Sequence, residues 1–426
     1  MTSLILRYLY SLSLYLLVPF VVLRLIWRSF RAPAYRRRWA ERFGFFARLP
    51  VEGAVWVHAV SVGEVQAALP LLDWLLQERQ LPVVVTTTTP TGSERVRQQL
   101  GDRVFHFYAP YDLPGAVRRF LKRVRPRAVI IMETEIWPNL FHRCRSYGIP
   151  LILANARLST HSARGYRRFR RLTRATLGNV TELAAQARPD ADRFIALGMD
   201  AQHVQVTGNI KFDIQLPGNL RDRARQLRDE WGDQRQVWVA ASTHAGEEEL
   251  VLSAFDMVRT RLPQALLILV PRHPERFDKV AELCQRRGYA VARRSEGKPP
   301  FAADVAVFLG DTMGELPLFY ASADVAFVGG SLVPTGGHNV LEPAALGIPI
   351  VVGPYTHNFL EITRALISYG GGERIETVTD LATVVVRFLE NTKLRDAAGS
   401  CGRELVERNR GALAKLESIL DAYVAV

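Results

Sequence analysis

The sequence has few cysteines and lacks the short motifs that mark several common enzyme classes. Its three cysteines, Cys144, Cys284 and Cys401, lie far apart in 426 residues, so they form neither a metal-ligand spacing nor a disulfide framework. This cysteine usage indicates a reducing compartment. No P-loop lysine pattern, H-E-x-x-H helix or serine-nucleophile elbow occurs, which argues against NTP hydrolysis, zinc proteolysis and serine hydrolysis. The D-x-D tripeptide at Asp190 and Asp192 has no further ligand nearby to complete a metal site.

Acidic residues are scarce in two stretches, and these stretches hold the net positive charge. The chain carries a net charge of +13. Residues 1–45 contain eight arginines and one acid, and residues 157–174 contain seven arginines and no acid. The remainder is close to neutral, which is not the charge distribution of a nucleic-acid-binding protein. Nucleic acid is therefore not an expected partner.

The first basic stretch accompanies an apolar segment. Residues 8–23 carry no charge and are flanked by Arg7 and Arg24. As a helix they would measure about 24 Å, slightly less than the ~30 Å hydrocarbon core of a bilayer. The arginines that follow place the rest of the chain on the cytoplasmic side. Residues 1–45 are thus predicted to form a membrane anchor. Whether the helix spans the bilayer or lies along it stays open, because Arg24, Arg28 and Arg31 would share one helical face.

The second basic stretch contains Arg164, Arg167, Arg168 and Arg171, with aromatic residues between them. One interpretation is a solvated helix face. Another is contact with anionic headgroups or with a phosphorylated substrate held at the membrane.

Length and periodicity predict two α/β domains. The chain is 48% hydrophobic and 23% charged, as in globular proteins, and 426 residues exceed one ordinary core. Apolar β-rich runs alternate with amphipathic segments, which favours parallel sheets with helices on both faces. We expect domains at 46–208 and 222–426 joined by a linker at 209–221, with ligands in the cleft at the carboxyl ends of the strands. The candidate strands are 55–59, 83–87, 104–108, 128–132, 151–154, 183–186, 237–241, 266–270, 290–292, 305–309, 323–328 and 348–352.

The segment GGSLVPTGGHNVLEPAALGIPIVVGP, residues 329–354, is the most informative of the chain. Its pattern predicts the end of a strand, a glycine-rich turn, Asn339 at an N-cap and a short helix that Gly347 ends. Such a loop is expected to expose backbone N–H groups to an anionic ligand such as a phosphate, with Glu342 accepting from ribose hydroxyls. The alternative is that the glycines only make tight turns and Glu342 only caps the helix.

Several polar residues follow predicted strands. Glu64 completes a capping box with Ser61, but it also stands where a carboxylate can act as a general base. Glu133 ends a buried strand, where a carboxylate needs a charged or hydrogen-bonding partner or has a functional role. Lys211 could stabilise developing negative charge or lie in solvent. Arg272 is suited to clamp a phosphate, whereas the acidic first turn at 247–249 is expected to be structural.

Taken together, HAVSVGEV, METEIWPNL, GNIKFD, ASTHAGEEE, PRHPERF, GDTMGELPLFY and GGHNVLEPAALGIPIVVGP resemble the 3-deoxy-D-manno-octulosonic acid (Kdo) transferase family of lipopolysaccharide synthesis. The resemblance implies a GT-B fold, in which two Rossmann-like domains face each other across a cleft. It implies an inverting transfer of Kdo from CMP-Kdo to the lipid A precursor without a metal or cofactor. The enzyme would sit at the inner membrane with its catalytic domains on the cytoplasmic side. The alternative is another GT-B transferase that uses a UDP-sugar and a lipid acceptor.

The same motifs imply roles for individual residues. By motif position, Glu64 is the catalytic base, and Glu133 and Lys211 stabilise the transition state. The CMP-binding residues implied by the family are Arg272, His273, Met313, Gly314, Glu315, Asn339, Val340, Leu341 and Glu342. The arginines between 157 and 174 match no family motif, so their role rests on their charge alone.

Overall fold

The alternating apolar and amphipathic segments form two parallel sheets in the computed structural model. The structure describes residues 3–31, 37–232, 234–297 and 304–425. The chain divides into two compact units. The first contains the residues up to Asp213 together with the C-terminal segment from Arg410, and the second is Ile214–Asn409.

The first unit has seven strands in the part of the chain described, and all neighbouring strands are parallel. Its strands are β1 (Val55–His58), β2 (Val83–Thr87), β3 (Phe105–Tyr108), β4 (Ala128–Met132), β5 (Leu151–Ala156), β6 (Glu182–Ala185) and β7 (Val204–Val206). Its helices are α1 (Ser3–Arg31), α2 (Trp39–Arg42), α3 (Val62–Asp73), α4 (Pro90–Leu100), α5 (Pro114–Val124), α6 (Pro138–Ser146), α7 (Thr160–Arg168), α8 (Arg170–Leu177) and α9 (Arg188–Leu197). The strand order is β3-β2-β1-β4-β5-β6-β7.

The second unit repeats this architecture with seven described strands, again all parallel. Its helices are α10 (Leu220–Trp231), α11 (Glu247–Arg261), α12 (Phe277–Arg286), α13 (Leu316–Ala321), α14 (Leu341–Leu346), α15 (Leu360–Ser368), α16 (Val378–Glu390) and α17 (Thr392–Arg408). Its strands are β8 (Val237–Thr243), β9 (Leu266–Pro271), β10 (Val291–Arg293), β11 (Val307–Leu309), β12 (Val325–Val328), β13 (Ile350–Val352) and β14 (Gly372–Arg374). The strand order is β10-β11-β9-β8-β12-β13-β14, and helix α18 (Ala412–Val424) ends the chain.

Both sheets are buried on both faces, which explains their nearly unbroken apolar sequences. Every residue of β1, β2, β4 and β5 is buried, as is every residue of β8 and β9. In each unit the strand order reverses beside the first strand, between β1 and β4 and between β8 and β12. Ligands of doubly wound sheets bind outside the carboxyl ends of the strands at such a switch point. The predicted fold class of two doubly wound α/β units is confirmed.

All twelve predicted strands agree with the structure to within two residues at both ends. Two strands were not predicted, β7 and β14. Each has three residues and lies at the edge of its sheet. An edge strand is buried less than a central one, so its sequence lacks the continuous apolar run that marked the others.

The expected domain limits differ from the observed packing at two places. Residues 210–212, expected in a linker, form a 3₁₀ turn whose Ile210 lies in the core of the first unit. Helix α18, expected in the second domain, also packs into that core through Leu416, Leu420 and Val424. Asp213 fixes this arrangement, because its carboxylate accepts from the N–H groups of Gly411 and Leu413, both at 2.6 Å.

Helix α1 contains the predicted apolar segment. It is the one helix among the described residues that is long and apolar enough to cross a membrane by length and composition. Most of its large apolar side chains are exposed, which is consistent with the predicted anchor.

Candidate functional site

The switch point of the first unit brings together the loops that follow β1 and β4. Glu64 opens helix α3 just after β1, and Glu133 directly follows β4. The two carboxylates are close enough for the charge of Glu133 to raise the pKa of Glu64. Glu64 and Glu133 are 69 positions apart in the sequence, and they lie near each other because β1 and β4 are adjacent in the sheet.

Glu64 forms only part of the predicted capping box, because its carboxylate accepts from the N–H of Val60 and not from that of Ser61. Its N–H donates to the Ser61 hydroxyl at 3.4 Å, and its Oε2 accepts from the Val60 N–H at 2.7 Å. The Ser61 hydroxyl also donates to Oε1 at 3.0 Å. Burial nevertheless raises the pKa of Glu64 to about 7, with smaller contributions from the charges of Glu133 and Glu135. A carboxylate with this pKa can take a proton and release it near neutral pH.

Glu133 and Lys211 form an ion pair. The Lys211 Nζ lies 3.0 Å from the Glu133 Oε1, and both side chains are largely buried. Glu133 has a φ of +57°, a left-handed conformation that is uncommon for a residue with a side chain. Its N–H donates to the Ala154 carbonyl of β5 at 2.9 Å, which holds this conformation. Such backbone strain is typical of functional sites.

Three amides hold the turn that carries Lys211, and sequence reasoning missed two of them. The Asn209 Oδ1 accepts from the Lys211 N–H at 3.0 Å, and its Nδ2 donates to the Gln186 Oε1 at 3.1 Å. Gln186 donates in turn to the carbonyl of Asn155, whose Oδ1 accepts from the Ile210 N–H at 3.2 Å. Asn155 is fully buried and has a φ of +52°. Only the packing of β5 and β6 reveals these partners, although the buried asparagine in the strand run LILANA was a signal.

Glu135 is a third carboxylate at this edge, and sequence reasoning did not select it as a site residue. Its Oε2 accepts from the Trp137 Nε1 at 2.6 Å, and burial raises its pKa. The Trp137 ring contacts the ring of His58 edge to face at 5.0 Å. His58 is fully buried, so its pKa is lowered to about 4, and it stays neutral. The edge therefore combines three carboxylates, one lysine and a neutral imidazole.

In the second unit, the glycine-rich loop after β12 is held by a carboxylate of the protein. Glu247 is fully buried and accepts from the N–H groups of Gly330, Ser331 and Leu332 at 2.7, 3.0 and 2.9 Å. The sequence predicted that this loop exposes N–H groups to an anionic ligand, but these three are bound by the Glu247 carboxylate instead. The expectation that the acidic turn at 247–249 is structural agrees with this contact.

The N-cap of α14 is Val340, so the predicted N-cap residue Asn339 lies one residue earlier, but its side chain still binds the start of the helix. The Asn339 Oδ1 accepts from the Leu341 N–H at 3.1 Å, and its Nδ2 donates to the Glu342 Oε1 at 3.0 Å. Burial raises the pKa of Glu342. The side chains of Val340 and Leu341 are buried in the protein, so these two residues can offer a ligand only their backbone.

Arg272 and His273 follow β9, the neighbour of β8. The structure gives the Arg272 guanidinium no hydrogen bond to the described residues, and the residue is partly exposed. The His273 ring contacts His244 edge to face at 5.3 Å. The Nε2 atoms of His244 and His338 lie 2.8 Å apart, so one ring donates and the other accepts. Burial and nearby cations lower the pKa of His338 to about 3. Sequence reasoning missed the pairing of these two histidines, which lie 94 residues apart.

The loop after β11 carries Met313, Gly314 and Glu315. Met313 is 65% exposed, and Gly314 is exposed with a φ of +83°. The Glu315 carboxylate accepts from Arg294 and Arg223 at 2.9 Å, and hydrogen bonding to Arg294 lowers its pKa to about 2. This side chain is therefore already engaged, whereas the backbone of the loop is accessible.

The basic stretch forms helices α7 and α8 of the first unit. Arg164, Arg167, Arg168 and Arg171 are all exposed, and Phe169 between them is 69% exposed. Helix α8 also packs against α1. The stretch is thus a basic surface next to the apolar N-terminal helix.

Asp190 and Asp192 pair with arginines rather than with each other. Asp190 contacts Arg193 at 3.1 Å, and Asp192 contacts Arg188 at 2.8 Å. Within the described ranges no group of three or more His, Cys, Asp or Glu side chains could hold a metal ion.

The structure thus gathers the sequence-predicted residues into two sets. Glu64, Glu133 and Lys211 share the switch point of the first unit. The predicted CMP-binding residues follow β9, β11 and β12 in the second unit, in loops and in the first turn of α14. The four arginines of the basic stretch lie apart from both sets, on or beside α7 and α8.

Comparison with known proteins gives a consistent result. Residues 37–214 match the model of a family described as 3-deoxy-D-manno-octulosonic-acid transferase, or kdotransferase. The chain is 42% identical to a 3-deoxy-D-manno-octulosonic acid transferase of Haemophilus influenzae, over 98% of this chain and 99% of that relative. It is 36% identical to the enzyme of the same description from Bordetella pertussis, again over 98% and 99%.

Among solved structures, the UDP-GlcNAc 2-epimerase of Neisseria meningitidis bound to UDP-GlcNAc is similar in fold. It matches with a TM-score of 0.55 and 14% identity over 86% of this chain and all of that one. At this identity the likeness concerns the fold alone, and it confirms the predicted GT-B class.

Proposed function

Since the chain belongs to the family of 3-deoxy-D-manno-octulosonic acid transferases, we propose that it transfers Kdo from CMP-Kdo to the glucosamine disaccharide of the lipid A precursor, lipid IVA. It is a glycosyltransferase of lipopolysaccharide biosynthesis. The observation that carries the proposal is the likeness to Kdo transferases over nearly the full chain. The reaction proceeds with inversion and without a metal.

Glu64 is the general base in this mechanism. A hydroxyl of the acceptor sugar attacks the anomeric carbon of Kdo, and the bond from that carbon to the CMP phosphate breaks. The Glu64 carboxylate takes the hydroxyl proton, and CMP leaves with the electron pair of the broken bond. The pKa of about 7 supports this role, because the group is partly ionised at neutral pH and basic enough to accept a proton.

Glu133 and Lys211 stabilise the transition state as a pair. The Lys211 ammonium meets developing negative charge, and the Glu133 carboxylate meets positive charge that develops on the sugar ring. Their 3.0 Å contact and the amides around the Lys211 turn support this role, because they fix both charges before the substrates bind. Little reorganisation is then needed during the reaction.

The second unit binds the donor. Arg272 neutralises the phosphate with its guanidinium, which is partly exposed and held by no described partner. Glu342 accepts from ribose hydroxyls, while Val340 and Leu341 contribute backbone groups. His273 and the backbone of Met313, Gly314 and Glu315 complete the CMP contacts, and Asn339 orients Glu342 through their 3.0 Å hydrogen bond.

The acceptor is a phosphorylated lipid, so the enzyme acts at the inner membrane with its catalytic units on the cytoplasmic side. Helix α1 anchors the chain there. Arg164, Arg167, Arg168 and Arg171 contact phosphates of the acceptor or of membrane lipids. Their exposure and the contact between α8 and α1 support this role.

The test uses the purified full chain in detergent with CMP-Kdo and lipid IVA, and the product is weighed by mass spectrometry. We expect a mass gain of whole Kdo residues. Glu64→Gln should keep CMP binding by calorimetry and lose about 10²–10⁴-fold in transfer. Gln66→Ala, an exposed change on the same helix, is the matched control and should retain activity.

Two outcomes would contradict the proposal. Tighter binding of UDP than of CMP, with transfer from a UDP-sugar, would indicate a different GT-B transferase. Near-normal transfer by Glu64→Gln would exclude Glu64 as the base while leaving the reaction itself intact.

In the same assay, charge reversal at Arg167 and Arg168 should raise the KM for lipid IVA and leave the KM for CMP-Kdo unchanged. An unchanged KM for lipid IVA would show that this surface is only a solvated face.

A further inference from the structure

Helix α1 contacts the first unit along its whole length. Its less exposed residues recur every three or four positions from the first turns to the last, as on one face of a helix. Ser11, Leu25 and Ser29 are 5%, 8% and 4% exposed, and the helix packs against α6 and α8. The remaining residues of this face are Leu6, Arg7, Tyr10, Leu14, Val18, Val21 and Val22.

The beginning of the helix is fixed by polar contacts. The Ser11 hydroxyl donates to the Asn139 Oδ1 at 3.0 Å, and Arg7 donates to the same oxygen at 3.4 Å. Asn139 is itself buried at the start of α6, where its N–H donates to Asp112 at 3.0 Å. The Tyr10 hydroxyl is also hydrogen-bonded to Asp112. These groups would lose their partners if residues 7–11 lay on the far side of a bilayer.

The chain beyond the helix returns to the same unit. Arg38 donates to the carbonyl of His106 at 2.5 Å, and Arg42 donates to the carbonyl of Thr88 at 2.9 Å. The carbonyl of Arg42 accepts from the Tyr111 N–H at 2.8 Å. The beginning of α1 and the segment 37–42 that follows it in the chain are therefore both bound to one globular unit. A helix of 29 residues is about 43 Å long, more than the ~30 Å needed to cross a bilayer, yet here it does not leave the protein surface.

Among the side chains that the structure describes, the outward face of α1 is apolar apart from Ser13. Tyr8, Leu16, Phe20, Trp27 and Phe30 are 59%, 67%, 68%, 58% and 72% exposed. A continuous apolar surface of this kind needs an apolar partner. At 100° per residue, the exposed Arg24 falls at the border between this face and the protein-facing one, and the exposed Arg28 falls at the same angle as Tyr10, near the edge of the protein-facing side.

Arginines also surround the apolar face from the neighbouring helix. Helix α8 packs against α1 and carries the exposed Arg170, Arg171 and Arg174, with exposed Phe169 just before it. An apolar strip with arginines at its borders matches the boundary between acyl chains and anionic headgroups. A protein partner would not require this charge.

We propose that α1 lies in the plane of one anionic membrane leaflet, with its outward face among the acyl chains, and does not span the bilayer. The arginines at its borders and on α8 then reach the headgroups of the same leaflet. This inference depends on membrane attachment and not on the identity of the transferred sugar.

The first test locates the start of the helix by cysteine labelling of the full chain. In a Cys401→Ser background, Ser3→Cys is compared with Thr379→Cys, an exposed residue of the second unit. With a membrane-impermeant maleimide, we expect both to be labelled in inverted inner-membrane vesicles and neither in spheroplasts. Labelling of Ser3→Cys in spheroplasts alone would overturn the proposal, because the first turn would then lie across the membrane.

The second test measures depth in vesicles of phosphatidylethanolamine and phosphatidylglycerol. Spin labels at Leu12, Phe20 and Trp27 should report one shallow depth. In a spanning helix Leu12 and Phe20 would differ by about 12 Å. A label at Val18, which lies on the protein-facing side of the same helix, is the control and should stay inaccessible to oxygen. A label depth that increases from Leu12 to Phe20 would contradict the in-plane position. So would a disulfide bond between the Phe20→Cys residues of two copies, because this face would then contact protein and not lipid.

Discussion

Glu64 shows how one side chain can combine a structural and a chemical role. Its carboxylate accepts an N–H from Val60 and a hydroxyl from Ser61, contacts that favour ionisation. Burial and the nearby charges of Glu133 and Glu135 act in the opposite direction and dominate, so the pKa rises to about 7. These two hydrogen bonds therefore orient the carboxylate without fixing it in the ionised state.

The pH dependence of transfer should report this balance. A base acts as its carboxylate, so kcat/KM should fall as the pH drops through about 7. Glu133→Gln removes a neighbouring negative charge, which lowers the pKa of Glu64 and moves the acid limb to lower pH. The measurement is the pH profile of kcat/KM for both enzymes. Glu135→Gln is the matched control, because the charge of Glu135 raises the pKa of Glu64 less than that of Glu133 does. The expected coupling would be contradicted if Glu133→Gln did not shift the acid limb, or shifted it no more than Glu135→Gln.

At the scale of elements, the loop between β12 and α14 is held by the carboxylate of Glu247. Three consecutive N–H groups converge on Glu247, which extends from the start of α11. Gly330 has a φ of +66°, and a Cβ there would meet the rings of His338 and His244 at 3.0 to 3.4 Å. The glycines thus permit a tight turn around a buried carboxylate rather than around a bound phosphate.

Loss of that carboxylate should unfold the loop. Glu247→Ala leaves at least three buried N–H groups without an acceptor, so we expect the second unit to lose more than about 3 kcal/mol of unfolding free energy. Glu249→Ala removes an exposed carboxylate from the same helical turn and should cost less than about 1 kcal/mol. Urea titration followed by CMP calorimetry measures both effects. Equal stability of the two variants would show that Glu247 does not hold the loop.

At the scale of the whole molecule, the first unit is built from two separate parts of the chain. Asp213 joins them, because it follows the turn that carries Lys211 and caps the start of α18. Ile210 from the turn and Leu416 from the helix lie in the same core. The position of the candidate catalytic lysine therefore depends on residues near the C-terminus.

Asp213→Ala should affect both stability and catalysis. The N–H groups of Gly411 and Leu413 lose their acceptor, which should lower the unfolding free energy by about 1–2 kcal/mol. Displacement of Lys211 should lower kcat and leave CMP binding unchanged. Asp421→Ala, a change at a half-exposed residue of α18 that breaks the pair with Arg79, should stay within about 0.5 kcal/mol of the parent. A stability loss with normal kcat would limit Asp213 to a structural role.

The sequence predicted most of the sheets because their buried strands are continuous apolar runs. It did not predict the pairing of α18, because an amphipathic pattern shows that a helix has a buried face but not which core receives it. The same limit applies to Asn155, Gln186 and the pair of His244 and His338, whose partners are distant in sequence. The residues proposed for catalysis were identified through motif position, and only the assays above test their roles.

The return of α18 to the first unit has a consequence for how the protein is made. During translation, every residue of the second unit is synthesised before the helix that completes the first unit. Domains usually fold as units while the chain emerges, with the N-terminal one first. Here the first unit must wait, with part of its core uncovered, until α18 has left the ribosome, and a nascent chain that stops short of α18 should be a substrate for chaperones and proteases.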